Sequence, residues 1–347
     1  MSEPGAHVTI KDIAKACGVS PTTVSLALRN HPRISEKTKE RVKKAAEELG
    51  YKRHPLVAAL MSNLGRSHYS DSPVPLAAVY NKPQKEVDAS AYHRRLWAGI
   101  SQRAAELGFS VDRFFLQDAK IANAQRLSEI LYARGVTGIL IPPLAQGGGH
   151  LSLDWDRFSA VAIGYSMLRP ELNRVCPDQY QGIRLAMHYI RRFGYTRPGL
   201  VINGFSGLRT LHLWSSGFYG FEYERKTDGV IPVLECGEVD SSQLLAWYEQ
   251  YRPDVIISSG TDREVWKVLQ KTDLQIPEDV GFVTLSRSEM DPDVAGINEN
   301  EDGVGSASVD QLAQLLYYNE QGIPQHPHVL QIAPSWEDGS TCVRQTN

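Results

Sequence analysis

The chain has 347 residues, 42% of them apolar, and a formal net charge of −3, which suffices for a small head and two core-bearing lobes at ordinary domain sizes. No apolar run reaches membrane-spanning length, and the first residues lack the charged-then-apolar order of a secretory signal, so a cytoplasmic protein without membrane contact is expected. Cys17, Cys176, Cys236 and Cys342 are scattered without a CxxC pair or a His-rich ligand spacing, which points to reduced structural thiols and to no metal or cofactor.

The first predicted elements come at once. Thr9 followed by Asp12 is a capping box that starts one helix, and Gly18 ends it by tolerating the left-handed backbone of a tight turn. Ser20 caps a second helix, with Pro21 preset at its first position. Val24 and Leu28, one turn apart, point inward with Ile13, Ala14 and Val19, whereas Thr22 and Leu26 lie roughly 200° round the helix and face out. Such spacing also suits an ordinary helical hairpin, but the small polar outer face and basic surroundings favour a helix-turn-helix that reads a DNA major groove. A third helix over 36–49 carries Lys37, Lys39, Arg41, Lys43 and Lys44, a basic face that an ordinary solvated helix would also show. Residues 1–70 hold 12 Lys/Arg against six Asp/Glu, a net +6, so the remainder carries −9. A basic head on an acidic body attracts phosphates while keeping the body off DNA.

The segments 9–14 (Thr-Ile-Lys-Asp-Ile-Ala), Gly18-Val19-Ser20, Thr23-Val24-Ser25 and Glu48-Leu49-Gly50-Tyr51 resemble the lactose-repressor (LacI/GalR) family. The resemblance implies a DNA-contacting set of Thr9, Ser20, Pro21, Thr22, Thr23, Ser25, Leu26, Arg29, Asn30, His31, Tyr51 and Leu60. In that set Thr22 and its neighbours meet base edges, while Thr23, Ser25 and the Arg29 region hold phosphates. It further implies a homodimer on a pseudo-palindromic double-stranded operator. Leu26 departs from the polar or basic reader that many relatives carry: it can touch a thymine methyl but cannot pair bidentately with guanine.

Residues 54–61 make about two helical turns, too few for a stable isolated helix, and 65–73 read as a polar linker. The resemblance makes the first stretch a hinge helix, with Leu60 as the leucine pushed into the minor groove, where it would unstack and bend the duplex.

From Leu76 onward apolar strands alternate with amphipathic helices. Strands are predicted at 76–80, 111–116, 138–141 and 160–163, with helices over 92–107 and 122–134; a second set of strands falls at 200–203, 230–236, 254–259 and 280–285. This α/β order implies two parallel sheets with ligands at the C-terminal strand ends. The resemblance makes the body a two-lobed type I periplasmic-binding-protein-like fold, crossed near 176–178, near 298–302 and once more after a helix over 308–321. The expected division is a head at 1–54, a hinge and linker at 55–75 and a body at 76–347. The N-lobe then takes about 76–175 plus 303–328, and the C-lobe about 176–302 plus 329–347.

Family pockets place an arginine and an acid where this chain has Trp214 and Ser286. Their loss removes groups suited to anions and leaves a flat apolar face. The expected effector is a neutral ring, a sugar among the candidates, stacked on Trp214, with Tyr92, Arg209, Asp262 and Ser286 supplying the remaining contacts; the alternatives are Trp214 in the core, or a filled cavity with no effector. Enzymatic readings are weak. Gly147-Gly148-Gly149 lacks a phosphate-loop pattern and reads as a loop, and His93, His188 and His212 have no paired nucleophile, so no catalytic residue is assigned. The reading is a nucleoid-associated transcriptional repressor controlled by a small molecule. An activator or effector-independent DNA binder is the alternative, and a solute-binding protein is the alternative of another class.

Overall fold

The computed structural model describes residues 10–28, 34–49, 51, 73–118, 123–145, 147, 149–237, 239–260 and 262–345; the side chains of Lys11, Thr22, Ser25, Phe205, Ser206 and Asp262 lie outside that description. Two compact units emerge, the first centred on the N-terminal 72 residues and the second on the rest.

In the first unit, α1 (Ile10–Cys17), α2 (Pro21–Leu28) and α3 (Glu36–Glu48) follow each other closely. Gly18 takes φ +61°, and the N–H of Val19 reaches back to the Ala14 carbonyl at 3.1 Å, so the tight turn needs the glycine. Ser20 Oγ accepts from the Thr23 N–H at 3.1 Å and Ser35 Oγ from the Thr38 N–H at 3.4 Å; each cap satisfies a backbone donor that the helix leaves orphaned. Ile13, Val24, Ala27 and Val42 are fully buried, with Val19 and Leu28 packed against them, as the inward stripe predicts. Burying each such branched side chain contributes about 1.5–3 kcal/mol, so a core this small depends on every member.

The second unit contains two six-stranded sheets. The first joins β1 (Val74–Tyr80), β2 (Phe109–Phe115), β3 (Gly138–Ile141), β5 (Ser159–Ile163), β7 (Asn173–Pro177) and β13 (Val329–Ile332) in the order β13-β7-β5-β3-β1-β2, every pair parallel. Around it lie α4 (Gln84–Ala89), α5 (Ala91–Glu106) and α6 (Ala124–Ala133). The second sheet joins β8 (Pro198–Asn203), β9 (Leu234–Cys236), β10 (Val255–Ser259), β11 (Gly281–Thr284), β12 (Gly296–Asn298) and β14 (Ser335–Glu337), ordered β14-β12-β11-β10-β8-β9; only β12 and β14 run antiparallel. Its helices are α7 (Gln179–Arg192), α8 (Gly204–Arg209), α9 (Leu213–Glu224), α10 (Ser241–Tyr251) and α11 (Asp262–Leu269). Alternation along β8 sends Leu200 and Ile202 into a core with α7 and α9, and Val201 into another with α10 and α11. That two-residue period sandwiches the sheet between helices.

A last helix, α12 (Glu301–Tyr318), packs on the first sheet, where a Cβ on Gly138 would meet Leu312 and Leu316. It also lies against α5 with no room between backbones. A Cβ on Gly99 would sit 1.9 Å from the Asp302 carbonyl oxygen, and one on Gly305 would sit 2.3 Å from that of Leu96.

The structure moves three expectations. The strand predicted at 230–236 shrinks to Leu234–Cys236, because Pro232 has no N–H for a ladder. The third crossing comes later than 328: β13 joins the first sheet before the chain passes to β14, so 329–332 belong with the first lobe. Val329 and Leu330 are exposed at that sheet edge, which hid the strand from a burial-based reading. Gly149 and His150 form β4, paired in parallel with β6 (Met167–Arg169), so the glycine run is a loop only up to that point.

Candidate functional site

The second helix of the head is described in part. Ser20 and Pro21 are exposed, and Thr23 and Leu26 are half-buried. Thr23 Oγ1 lies 2.9 Å from Ser20 Oγ, so its hydroxyl helps close the cap. Tyr51 is half-buried against the head core, with its N–H on the Ala46 carbonyl at 2.8 Å. On α3, Lys37, Arg41, Lys43 and Lys44 are exposed, but Lys39 is only 7% exposed and pairs with Glu36 at 2.7 Å, which takes it off the basic face. Thr9, Arg29, Asn30, His31 and Leu60 lie outside the described residues, as do the side chains of Thr22 and Ser25.

In the body a cavity of about 210 Å³ lies at the C-terminal strand ends of both sheets, where an open α/β sheet offers loops and helix starts to a ligand. Lys82 follows β1, Pro143 follows β3 and Tyr165 follows β5; from the second sheet come Gly260 after β10, Ser286 after β11 and Glu299 after β12. Tyr92 and His93 enter from the first turn of α5, Arg209 from the end of α8 and Trp214 from α9. Of the predicted effector residues the structure thus gathers Tyr92, Arg209, Trp214 and Ser286 in one place, while the Asp262 side chain lies outside the description.

Trp214 has a double role. It lines the cavity yet is 3% exposed within the α7–α9 core, where Gly182 leaves room for its ring. Most of its apolar surface is therefore committed to packing.

The electrostatics of the cavity combine Tyr92 and Arg209, named from the sequence, with groups that the sequence reading did not assign. Lys82 Nζ lies 3.3 Å from His93 Nε2. Burial, then the Arg209 charge, lowers the Lys82 pKa to about 8, against smaller opposing pulls from Glu86 and Glu289. Burial, then Lys82 and Arg209, pushes His93 down to about 3, so the imidazole is neutral near pH 7. Burial lowers the Arg209 pKa too, partly offset by Tyr92 and Glu299. Burial likewise holds the Tyr92 phenol well above its usual range and moves Tyr165 up to about 12, with the Cys176 thiol adding to the rise. Among the described residues Arg209 Nε, His93 Nδ1 and Gln179 Oε1 are buried without a hydrogen-bond partner.

Two contacts close the rim between the sheets. One Glu289 oxygen accepts from Ser90 Oγ at 2.9 Å and from the Tyr92 N–H at 2.8 Å, tying the segment after β11 to the start of α5, where helix-dipole direction favours a carboxylate. Gly147 abuts the backbone of Leu208 and Arg209 so closely that a Cβ would lie 2.7 Å from the Leu208 carbonyl carbon. The glycine that read as loop filler is a point where the two rims touch. Among the described residues no group of His, Cys, Asp and Glu side chains is arranged to hold a metal, and no helix is long and apolar enough to cross a membrane.

Residues 9–54 match the family described as "Bacterial regulatory proteins, lacI family". The HTH-type transcriptional regulator MalR of Streptococcus pneumoniae is 33% identical over 226 residues, covering 63% of this chain and 63% of that protein. The maltose regulon regulatory protein MalI of Escherichia coli is 31% identical over 194 residues, 55% of this chain and 52% of that one. The similarity thus spans less than two thirds of these relatives' length. Among solved structures, a complex of the transcriptional regulator CelR with cellobiose has a TM-score of 0.60 at 17% identity, covering 96% of this chain and 100% of that one. The lac repressor dimer bound to operator and an anti-inducer has a TM-score of 0.57 at 18% identity, over 97% and 100%. At such identities the likeness is one of fold: a helix-turn-helix head and a parallel-sheet, periplasmic-binding-protein-like body.

Proposed function

We propose, from a head that residues 9–54 place in the lacI family of bacterial regulatory proteins, that the chain is a sequence-specific, homodimeric DNA-binding transcriptional repressor, acting in the cytoplasm and controlled by a small molecule in the body's cavity. The observation that carries the reading is the pairing of a capped helix-turn-helix with a polar cavity at the strand ends of two sheets. The head supplies a helix sized for a major groove and flanked by exposed lysines. The cavity supplies a place where a ligand can hold two sheet rims together, and it alters DNA binding only if it favours one arrangement of those rims. A sugar effector is supported by the maltose regulon regulatory protein MalI, by the sucrose operon repressor of Streptococcus mutans, 26% identical over 216 residues, and by the cellobiose in the CelR complex. No catalytic role is assigned to any residue of the cavity.

Selection of binding sites from random DNA, repeated with and without a carbohydrate panel, tests the reading. A two-fold symmetric site whose affinity falls by on the order of 10³ between about 50 and 200 mM salt is the expected result, since several phosphates are neutralised. Binding that is indifferent to sequence and to salt would refute the head's assignment; sequence-specific binding that no sugar alters would refute the effector's.

A further inference from the structure

We infer that the molecule taken up by the body's cavity is an anion: a carbohydrate bearing a phosphate or a carboxylate, docked between Lys82 and Arg209. The inference rests on the cavity being the effector site, and it names the charge of what enters.

Lys82 comes from the first sheet and Arg209 from the second, yet both line the same 210 Å³ space. The acids of the lining, Glu289 and Glu299, are tied by hydrogen bonds within the site and offset the two cations only in part. Glu289 accepts from Ser90 and Tyr92 and lies 3.5 Å from Arg263, while Glu299 accepts from Gln179 Nε2 at 3.4 Å. The contact made by Lys82 Nζ is to a neutral imidazole, and Arg209 Nε has no hydrogen-bond partner among the described residues. Burial and the Arg209 charge lower Lys82, and burial lowers Arg209, by more than the nearby carboxylates offset, so two cations in this partly desolvated space gain from a further counter-charge. A phosphate or carboxylate supplies that charge, with planar acceptors for the guanidinium fork and a point contact for the ammonium. Tyr92, Tyr165, Ser166 and Ser286 remain along the lining for hydroxyls. The neutral ligand expected from Trp214 and Ser286 gives way because the positive charge enters from other positions. Trp214, being mostly packed, leaves less apolar face than a stacking site needs.

The test is calorimetric titration of the full-length protein with hexoses and disaccharides, each as the neutral sugar, its 6-phosphate and its uronate, together with inorganic phosphate alone. The expected result is that one anionic form binds at least about tenfold more tightly than its neutral parent, and that the preference collapses in Lys82→Met and in Arg209→Met. Which of the 6-phosphate and uronate arms responds identifies the anion. Binding at pH 8.5 should take up a proton as Lys82 recharges, read by repeating the titration in buffers of different ionisation heat, and the uptake should vanish in Lys82→Met. The groups that set this titration are Arg209 on α8, Glu86 on α4 and Glu289 after β11, with the His93 imidazole on α5 in contact with the ammonium. Both variants should melt at or above the wild-type temperature, since each removes a buried cation that the nearby carboxylates only partly offset. Neutral sugars that bind as tightly as their anionic forms would overturn the charge while leaving the effector site intact. A lower melting temperature in both variants would overturn it as well, by showing the cations already paired. Failure of every sugar to bind would remove the effector reading itself.

Discussion

The head and the cavity treat polar groups in opposite ways. In the head each cap finds its partner three residues along the chain, Ser20 with Thr23 and Ser35 with Thr38, and the outward face is left to solvent. In the cavity the polar groups come from chain positions as far apart as Lys82 and Glu299, and three buried atoms have no partner among the described residues. A surface that reads a partner can be complete before the partner comes. A site that desolvates its ionisable groups carries part of that cost until a ligand arrives, and the cost is free energy available for binding.

The contrast can be broken first at Trp214. If its ring served the ligand alone, Trp214→Ala would leave the fold untouched. Packed as it is, the variant should lose about 3–5 kcal/mol of body stability, read by denaturant unfolding. An unchanged midpoint would return the ring to the cavity.

Acid offers the next test. The buried His93 protonates in the folded chain only near pH 3 but near its ordinary 6.5 when unfolded, so below pH 6.5 the unfolded chain binds the proton first. Stability should be full above pH 6.5 and fall progressively toward pH 3. His93→Gln should flatten that limb when unfolding at pH 7 and pH 4.5 is compared with wild type. An equally steep loss in the variant would place the acid response elsewhere.

Removing the tie between the rims should cost less. Glu289→Ala leaves the Ser90 hydroxyl and Tyr92 N–H without their acceptor, worth about 1–3 kcal/mol, and should speed amide exchange at the start of α5. Protection there equal to wild type would show that the carboxylate does not hold the rim.

The smallest effect sharpens the other side of the comparison. Ser20→Ala removes one cap from α2 and should destabilise the head by about 1 kcal/mol, with the body's transition unmoved. A shift of the body's transition would show that the head's polar contacts are not self-contained.

These differences also explain what the sequence revealed. The head is legible because its instructions are local: Gly18, Ser20-Pro21 and the Val24/Leu28 spacing each act within one or two turns. The central strands are legible for the same reason, as short runs buried on both faces. β12, β13 and β14 are not, being three or four residues long and, in β13, mostly exposed. The cavity is legible only in part. Tyr92, Arg209, Trp214 and Ser286 were named in advance, but Lys82, Glu289 and Glu299 acquire their meaning from neighbours on other strands. A signal existed for two of them: Lys82 sits two residues beyond β1 and Glu299 one beyond β12, where strand-end position alone nominates ligand contacts.

The pair of glycines between α5 and α12 has a mechanical consequence. With Gly99 against the Asp302 carbonyl and Gly305 against that of Leu96, the two helices mesh like a key in a slot and cannot slide past each other without a backbone collision. The first turn of α5 carries Tyr92 and His93, and the first residue of α12, Glu301, receives a 2.5 Å hydrogen bond from Ser288 Oγ in the second lobe. A displacement imposed at the cavity end of α5 is therefore not absorbed as slippage along the helix pair. It is expected to carry to the strand-to-helix crossing at 298–301, with the two helices moving together. Gly305→Ala, by wedging that slot open, should loosen the transmission without touching any group in the cavity.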